Sequence, residues 1–514
     1  MMNWNSDRLY ISDASFLLDL SELERLNADL SKVAAQLSAS DANMPNQLAE
    51  RIAEVFSDSQ ELANALEAYD ALFLYRGVVS PLDAARSQRS RLHILLDDQQ
   101  KLLTEIAVYC LKHGGTALLE LHCFLRMFRC PEHESLFSEY AALRSSLHSR
   151  TPADGETEAA LARCLCKVKA CTFREAVRAG FRSPLEAGLF GTGLCGEDVD
   201  TVFEQIARSV SPLNREIAAC LRTNTSISKT AFSKTDAEAL IRAALSPLSP
   251  RIGQLLDSAF SENWIDWEPA PGKLSGARHF RIIRLRESRI LLNFTGCLDD
   301  IFALAHELGH AWQANCMMTG ADASAAEYGA GIKELGAYVF EQLVGSYLMQ
   351  HADRGMQTEL QMRTLRNDLK LLCEVPVRYH LEKMLYSAVQ QGRQLSAESI
   401  TAAAEGLIAS AGAAGLPDFA AADGRFWTVT SALYATNDCF YNYEYTFCFL
   451  ESLAVCRHLN AGGNEAVQHF ERILGASAGM NIMDIYRIYS IDGCEFFAAE
   501  TAMAVQRLRG VLAS

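Results

Sequence analysis

Two histidines four residues apart, with a glutamate directly after the first, form the pattern H-E-x-x-H at His306, Glu307 and His310. Residues i and i+4 of an α-helix lie on one face, so both imidazoles can reach a single metal ion. A glutamate between them lies beside a water that the ion polarises, and it can accept a proton from that water. The pattern therefore predicts a hydrolytic zinc site with Glu307 as the general base.

Two ordinary interpretations compete with a metal site: a pair of histidines packed in the core, or a pair on a solvated face. At about 100° per residue, Leu304, Leu308 and Trp312 lie on the helix face opposite the two histidines. The histidines therefore avoid the apolar stripe on which core residues would lie. With 12 histidines in 514 residues, about 0.02 accidental matches to the pattern are expected.

A catalytic zinc ion needs a third protein ligand and one open position for water. We predict that the next helix, approximately Ala325 to Met349, supplies this ligand. Glu334 and Glu341 are seven residues apart on that helix and share a face. Glu334 is the predicted ligand, and Glu341 is predicted to hold a histidine from behind. A simple surface charge is the alternative for Glu341, and Glu327 is the alternative third ligand.

Helical periodicity dominates the rest of the chain and predicts a mostly α fold. Ser21 and Glu24 have the spacing of a capping box, which predicts a helix start at Ser21. Residues Arg278 to Phe294 break the helical pattern with two short apolar runs around a turn-like stretch. They predict a β-hairpin directly before the H-E-x-x-H helix.

The segment from Ser149 to Glu158 has the composition of a linker. We place a soft domain boundary between this segment and about Gly193. The resulting prediction is an N-terminal helical lobe at residues 1–190 and a catalytic lobe at residues 191–514.

Composition narrows the classes of partner. The net charge of −16 disfavours nucleic acid, because affinity for phosphates comes from clustered lysines and arginines. No stretch has the length and apolar character of a membrane span, and the start does not have the pattern of a secretory signal. Fifteen cysteines without a repeating frame predict reduced thiols. We therefore expect a cytoplasmic protein without a membrane partner. Nothing in the sequence indicates an oligomeric state.

Three segments resemble the M3 peptidases, most closely oligoendopeptidase F: GKLSGA at Gly272 to Ala277, ILLNFTGCLDDIFALAHELGHAWQ at Ile290 to Gln313, and KELGAYVFEQL at Lys333 to Leu343. Weaker similarities in the same order cover nearly the whole chain. The family has H-E-x-G-H on one helix and two glutamates seven residues apart on the next. The resemblance therefore implies zinc ligands at His306, His310 and Glu334. It also implies a two-lobed, helical zincin-type fold whose deep central channel admits short peptides.

Two tyrosines lie in a later segment, FYNYEYTF, that also resembles the family. Tyr441 and Tyr445 are four residues apart and share a helix face, from which a phenol could stabilise an oxyanion. The resemblance implies that a tyrosine of this segment has that role, and Tyr445 is the best match, followed by Tyr441. The alternative is an aromatic packing stripe.

One departure from the family leaves the activity open. The family usually has a histidine a few residues before these tyrosines, whereas this chain has none from Leu381 to Arg457, and Tyr434, Asn437 and Asp438 lie nearby instead. The favoured prediction is a zinc endopeptidase that pairs short peptides with the hairpin edge. The alternatives are an amino- or carboxypeptidase and a zinc-retaining peptide-binding protein with weak turnover.

Overall fold

The structure is a computed structural model with side chains. It describes residue 4 and residues 8–38, 46–112, 133–148, 155–223, 231–319, 328, 331–411, 413, 424–435, 439–477, 480–489 and 493–513. Helices dominate these ranges, as the periodicity predicts. The only sheet in the described ranges is small and three-stranded.

The helices are numbered here in chain order. They are α1 Asp13–Ser38, α2 Asn46–Arg76, α3 Asp83–Ser87, α4 Arg89–Lys112, α5 His133–His148, α6 Gly155–Arg178, α7 Pro184–Gly188, α8 Gly196–Val210, α9 Asn214–Thr223, α10 Lys234–Leu245, α11 Pro250–Ser261, α12 Leu298–Thr319, α13 Leu335–His351, α14 Arg354–Leu369, α15 Val375–Gln390, α16 Ala397–Ser410, α17 Tyr443–Gly475, α18 Ile482–Tyr489 and α19 Gly493–Leu512.

Contacts divide the chain into two compact units, and each unit consists of three separate segments. The first contains Met1–His122, Ile227–Gln357 and Ala454–Asn481, and the second contains Cys123–Ser226, Thr358–Leu453 and Ile482–Ser514. This division does not test where an independently folding domain begins. The predicted lobe boundary at residue 190 therefore stays a prediction.

The predicted hairpin is present in the first unit. Strand β2, Arg278–Ile282, pairs antiparallel with β3, Glu287–Leu291. The turn between them begins at Ile283, earlier than the sequence indicated, and ends with Arg286 in the left-handed conformation at φ 53°. A short strand β1, Ile265–Asp266, pairs parallel with the other side of β3. β3 is buried along its whole length although it begins with three polar residues, and its buried Glu287 and Arg289 side chains pair with each other at 2.9 Å.

The predicted helix start at Ser21 is wrong, because α1 already begins at Asp13. Ser12 caps this helix by accepting a hydrogen bond from the amide of Ser15 at 3.2 Å. The S-x-x-E spacing at Ser21 and Glu24 belongs to two exposed residues in the helix interior. Most of the predicted linker, residues 149–154, lies outside the described residues, and α6 begins at Gly155.

Helix α12 carries the H-E-x-x-H pattern through the core of the first unit. Its apolar face is fully buried at Leu304, Leu308 and Trp312, as the helical wheel predicts. The Trp312 ring stacks on Phe340 of α13 at 4.7 Å between ring centroids. Its start is fixed by Asp300, whose Oδ2 accepts hydrogen bonds from four donors, including three successive backbone amides at residues 295–297. These contacts hold the histidine-bearing helix in one position.

The described cysteines differ from the expectation of reduced thiols at one position. Ten of them are thiols, whereas Cys171 is disulfide-bonded. Among the helices within the described ranges, none combines the length and hydropathy needed to cross a bilayer.

Helices α12 and α13 approach each other closely at two glycines. A Cβ atom on Gly309 would be 2.5 Å from both the Cα of Ala337 and the carbonyl oxygen of Gly336, and a Cβ atom on Gly336 would be 2.8 Å from the carbonyl oxygen of Gly309. Real Cβ atoms do not tolerate such distances to backbone. The two backbones therefore approach this closely only because both positions are glycine.

We predict that Gly309→Ala lowers the free energy of unfolding by about 1–3 kcal/mol, because the added methyl group overpacks the crossing. Thermal or urea unfolding measures this effect. Gly253→Ala in α11 is the matched control, because nothing lies within 4 Å of its Cβ position. It should leave stability unchanged or raise it slightly. Equal stability of the two variants would contradict the close crossing.

Candidate metal centre

The crossing of α12 and α13 brings together the three side chains predicted as ligands. His306, His310 and Glu334 each offer one ligand atom, and these atoms lie within 4.8 Å of one another. Glu334 Oε2 is 3.3 Å from His306 Nε2 and 3.4 Å from His310 Nε2. Ligand atoms at about 2.0–2.1 Å from a tetrahedral ion are separated from one another by about 3.3–3.4 Å. The spacing of the carboxylate from both imidazoles therefore fits a single zinc ion.

The carboxylate of Glu334 gives a second sign that a cation fits between these groups. Glu334 is almost fully buried, and its Oε2 atom has no hydrogen-bond partner. A buried carboxylate oxygen without a partner is costly, and a bound cation removes that cost. Burial raises the pKa of Glu334, yet the neighbouring His310 and His306 hold it well below its ordinary value. Glu334 is therefore a charged carboxylate, which is the form that binds metals.

Glu341 lies behind the first histidine, as its spacing from Glu334 predicts. Its Oε1 atom is 2.8 Å from His306 Nδ1. Such a carboxylate fixes the orientation of the imidazole and directs the lone pair of Nε2 toward a metal. Burial lowers the pKa of His306, but the two neighbouring glutamates raise it well above its ordinary value. In the metal-free protein, a proton therefore competes with a metal for this side chain.

Glu307 lies on the same buried helix, with 6% of its surface exposed. Burial raises the pKa of its carboxyl group, and the neighbouring histidines partly offset this effect. A glutamate whose pKa is moved toward neutrality is suited to accept and return a proton.

The second helix of the centre starts later than predicted. The predicted start at Ala325 and the alternative ligand Glu327 both lie outside the described residues. Within the described part, α13 begins at Leu335, and Glu334 is its N-cap residue. Gly331 has a φ of 79°, which an α-helix does not allow. The carboxylate therefore projects from the turn at the start of the helix rather than from its interior.

The predicted catalytic tyrosines are in the second unit. The hydroxyl groups of Tyr441 and Tyr445 are 2.8 Å apart, and both side chains are partly exposed, whereas Tyr443 between them is buried. The pair therefore shares a face, as its spacing predicts. Tyr434 is fully buried and stacks on Tyr140 at 3.9 Å between ring centroids, so it does not replace a substrate-binding histidine.

Two of the other positions near the missing histidine, Asn437 and Asp438, lie outside the described residues. In the second unit, Glu382 pairs with the buried ammonium group of Lys169 at 2.7 Å. His380 is partly exposed, and its ring lies 6.0 Å from the ring of Phe203.

Two further side chains beside the centre were not predicted from the sequence. The ring of His279, on β2, lies 5.9 Å from the ring of His310, and its Nε2 is 2.8 Å from Ser288 Oγ. Burial, with His310 nearby, lowers the pKa of His279 well below its ordinary value. Gln313 is fully buried and binds the backbone on both sides of Glu334. The sequence did contain a signal for this residue: Gln313 follows His306 by seven residues, which places its side chain on the same helix face as the two histidines.

The sequence also matches known proteins. Residues 251–493 match the model of peptidase family M3. Over 80 residues the chain is 36% identical to the chromosomal oligoendopeptidase F of Lactococcus lactis subsp. cremoris. That match spans 16% of this chain and 13% of the relative.

Solved structures agree with the fold. A protein assigned as a peptidase in Chlamydophila abortus superposes with a TM-score of 0.72 at 15% identity, covering 99% of this chain and 98% of that one. PZ peptidase A with an inhibitor gives a TM-score of 0.67 at 16% identity, covering 95% of this chain and 97% of that one. Oligoendopeptidase F from Enterococcus faecium gives a TM-score of 0.51 at 13% identity, covering 98% of this chain and 95% of that one. These likenesses confirm the mostly helical, zincin-type fold. Residues 251–493 thus match peptidase family M3, and the chain resembles oligoendopeptidase F, as its motifs predicted.

Proposed function

We propose that the protein is a zinc metalloendopeptidase that hydrolyses internal bonds of short peptides. The observation that carries this proposal is the spacing of Glu334 Oε2 from two imidazole nitrogens, 3.3 and 3.4 Å. The M3 segment supports the peptidase class. The choice of zinc rests on the donor set, which is two imidazole nitrogens and one carboxylate oxygen.

His306, His310 and Glu334 would hold the ion, and Glu341 would orient His306. When bound, zinc would supply Lewis-acid polarisation of the scissile carbonyl and a lowered pKa for the attacking water. Two histidines and one carboxylate are three protein ligands, the number that catalytic zinc sites use together with a water or substrate.

Glu307 is the proposed proton carrier. Its carboxylate takes a proton from the attacking water and returns it to the nitrogen of the departing amine. The burial that raises its pKa helps both transfers, because a group with a pKa nearer neutrality accepts and releases a proton with less cost. Glu307 lies directly after one ligand and three residues before the other, so the metal helix itself fixes its position.

Strand β2 is the proposed platform for the peptide backbone. In β3, the backbone amide of Ile290 donates to the carbonyl oxygen of Trp264, on the β1 side of the strand. The backbone groups of Ile290 therefore face β1 rather than β2. Its cross-strand partner in β2, His279, accordingly directs its own N–H and C=O groups away from β3. Asn64 already occupies the same edge further along, where its side chain binds Arg281 O and Ile283 N. The section at His279, beside His310, is therefore the part of the edge that can pair with an extended substrate.

The tyrosine pair is proposed to stabilise the oxyanion, with Tyr445 as the principal donor and Tyr441 as its partner. The hydrogen bond between the two hydroxyls supports a joint role, because one phenol orients the other. In it Tyr445 donates to Tyr441, so the Tyr445 hydroxyl would turn toward the oxyanion and accept from Tyr441 instead. The limit to short peptides and the cytoplasmic location are proposed from the resemblance to oligoendopeptidase F. The chain lacks the family's histidine before the tyrosines, which favours a zinc-retaining peptide-binding protein as the second candidate.

We expect Glu307→Gln to lower kcat/KM by at least about 100-fold, because the amide cannot accept the proton of the attacking water. The measurement is cleavage of a mixed library of quenched peptides with both ends blocked. Zinc content should match that of the wild type, since Glu307 is not a proposed ligand. Internal cuts in blocked peptides support an endopeptidase, and cuts only in unblocked peptides indicate an exopeptidase. Equal rates for wild type and variant would remove the catalytic proposal.

For Tyr445→Phe, we expect kcat to fall by about 10²–10³ with little change in KM, as for the loss of one oxyanion donor. Tyr443→Phe is the matched control. This buried residue lies in the same segment, and its hydroxyl is 3.4 Å from the carbonyl oxygen of Gly188. The control should change thermal stability and leave kcat unaffected. If both variants keep wild-type kcat, Tyr445 is not the donor.

A further inference from the structure

Gln313 bridges the two helices of the metal centre from a fully buried position. Its Nε2 donates to the carbonyl oxygen of Ile332 at 3.0 Å, and its Oε1 accepts from the amide of Gly336 at 3.0 Å. Both halves of one side-chain amide are therefore used, one as donor and one as acceptor. Glu334 lies midway between the two backbone positions that Gln313 holds.

The contact with Gly336 replaces a helix cap. The first amides of a helix lack acceptors within the helix, and the side chain of the N-cap residue commonly supplies one. Glu334 is the N-cap residue of α13, yet its side chain makes no capping bond. Gln313 supplies an acceptor for one of these amides instead. The Glu334 carboxylate is thereby left to face the two histidines.

The position of Gln313 on α12 ties this contact to the other ligands. It lies seven residues after His306 and three after His310, so all three side chains lie on one face of a single helix. One rigid helix therefore carries both imidazoles and the group that fixes the backbone around the carboxylate. The small size of Gly336 permits the contact, because a Cβ there would be 3.0 Å from Gln313 Oε1.

We propose that Gln313 is a positioning residue that sets the location of the Glu334 carboxylate relative to the two histidines, and thereby the affinity of the centre for zinc. The inference rests on the proposed metal site and adds to it a residue that acts through another. Outer-shell partners of metal ligands typically contribute 10- to 100-fold in metal affinity.

The chemistry of the contact specifies which substitutions test it. Gln313→Glu keeps the shape but replaces the donor with a carboxylate oxygen opposite the carbonyl oxygen of Ile332, which repels it. Gln313→Met keeps a similar length and removes both hydrogen bonds, leaving the Ile332 carbonyl with one fewer donor and the Gly336 amide without this acceptor. Both variants keep every proposed ligand.

The test measures the Kd for zinc of the purified full chain by competition with a chromogenic chelator at constant pH. Thermal unfolding of the metal-free protein is measured in parallel. We expect each variant to bind zinc about 10- to 100-fold more weakly than wild type. If Gln313→Met does not fold, the nearly isosteric Gln313→Glu carries the test alone.

Asn27→Leu is the matched control, because it removes another buried amide of the same unit, which donates to the carbonyl oxygen of Leu95 at 2.7 Å. It should lower the melting temperature and leave the Kd for zinc unchanged. The inference is overturned if both Gln313 variants keep the wild-type Kd, even when they unfold at lower temperature. Failure of the wild type to bind zinc is a different result, because it removes the proposed metal site itself.

Discussion

The site depends on one close crossing of two helices. Gly309 and Gly336 allow the backbones of α12 and α13 to approach to a distance that no Cβ would tolerate. Because of this approach, a carboxylate at the start of one helix reaches two imidazoles on the other. Hydrophobic burial on the opposite face of α12, at Leu304, Leu308 and Trp312, keeps the crossing fixed. The geometry of the candidate metal centre thus depends on the packing of the two helix backbones.

The charges around the site follow from the same packing. Glu334 and Glu341 are both largely buried, and both lie against His306 from different sides. Two buried carboxylates without a compensating positive charge would be costly, and a divalent cation offsets this cost. Glu307 lies close to the same groups but binds none of them within the described contacts, which leaves its carboxylate available for proton transfer. In the proposed mechanism, metal binding and proton transfer are therefore assigned to different glutamates by their position.

Patterns within a single helix could be predicted from the sequence. The faces of α12, the alignment of Glu334 with Glu341, and the shared face of Tyr441 and Tyr445 all follow from helical periodicity. The start of α13 could not, because it depends on the left-handed backbone of Gly331. The capping-box spacing at Ser21 and Glu24 predicted a helix start wrongly, because the same spacing also occurs on an exposed face inside a helix. Gln313 was missed because helical spacing shows only that it shares a face with the histidines, whereas its partners are backbone groups of another segment.

The most direct test of the metal site is the zinc content and zinc affinity of the purified chain, compared with Glu334→Ala and Glu327→Ala. We predict one zinc ion per chain for the wild type and for Glu327→Ala. Glu334→Ala should bind zinc at least about 100-fold more weakly, because losing a ligand costs at least as much as losing a partner behind a ligand. A wild type without zinc, or a Glu334→Ala variant that binds it equally well, would contradict the proposed centre.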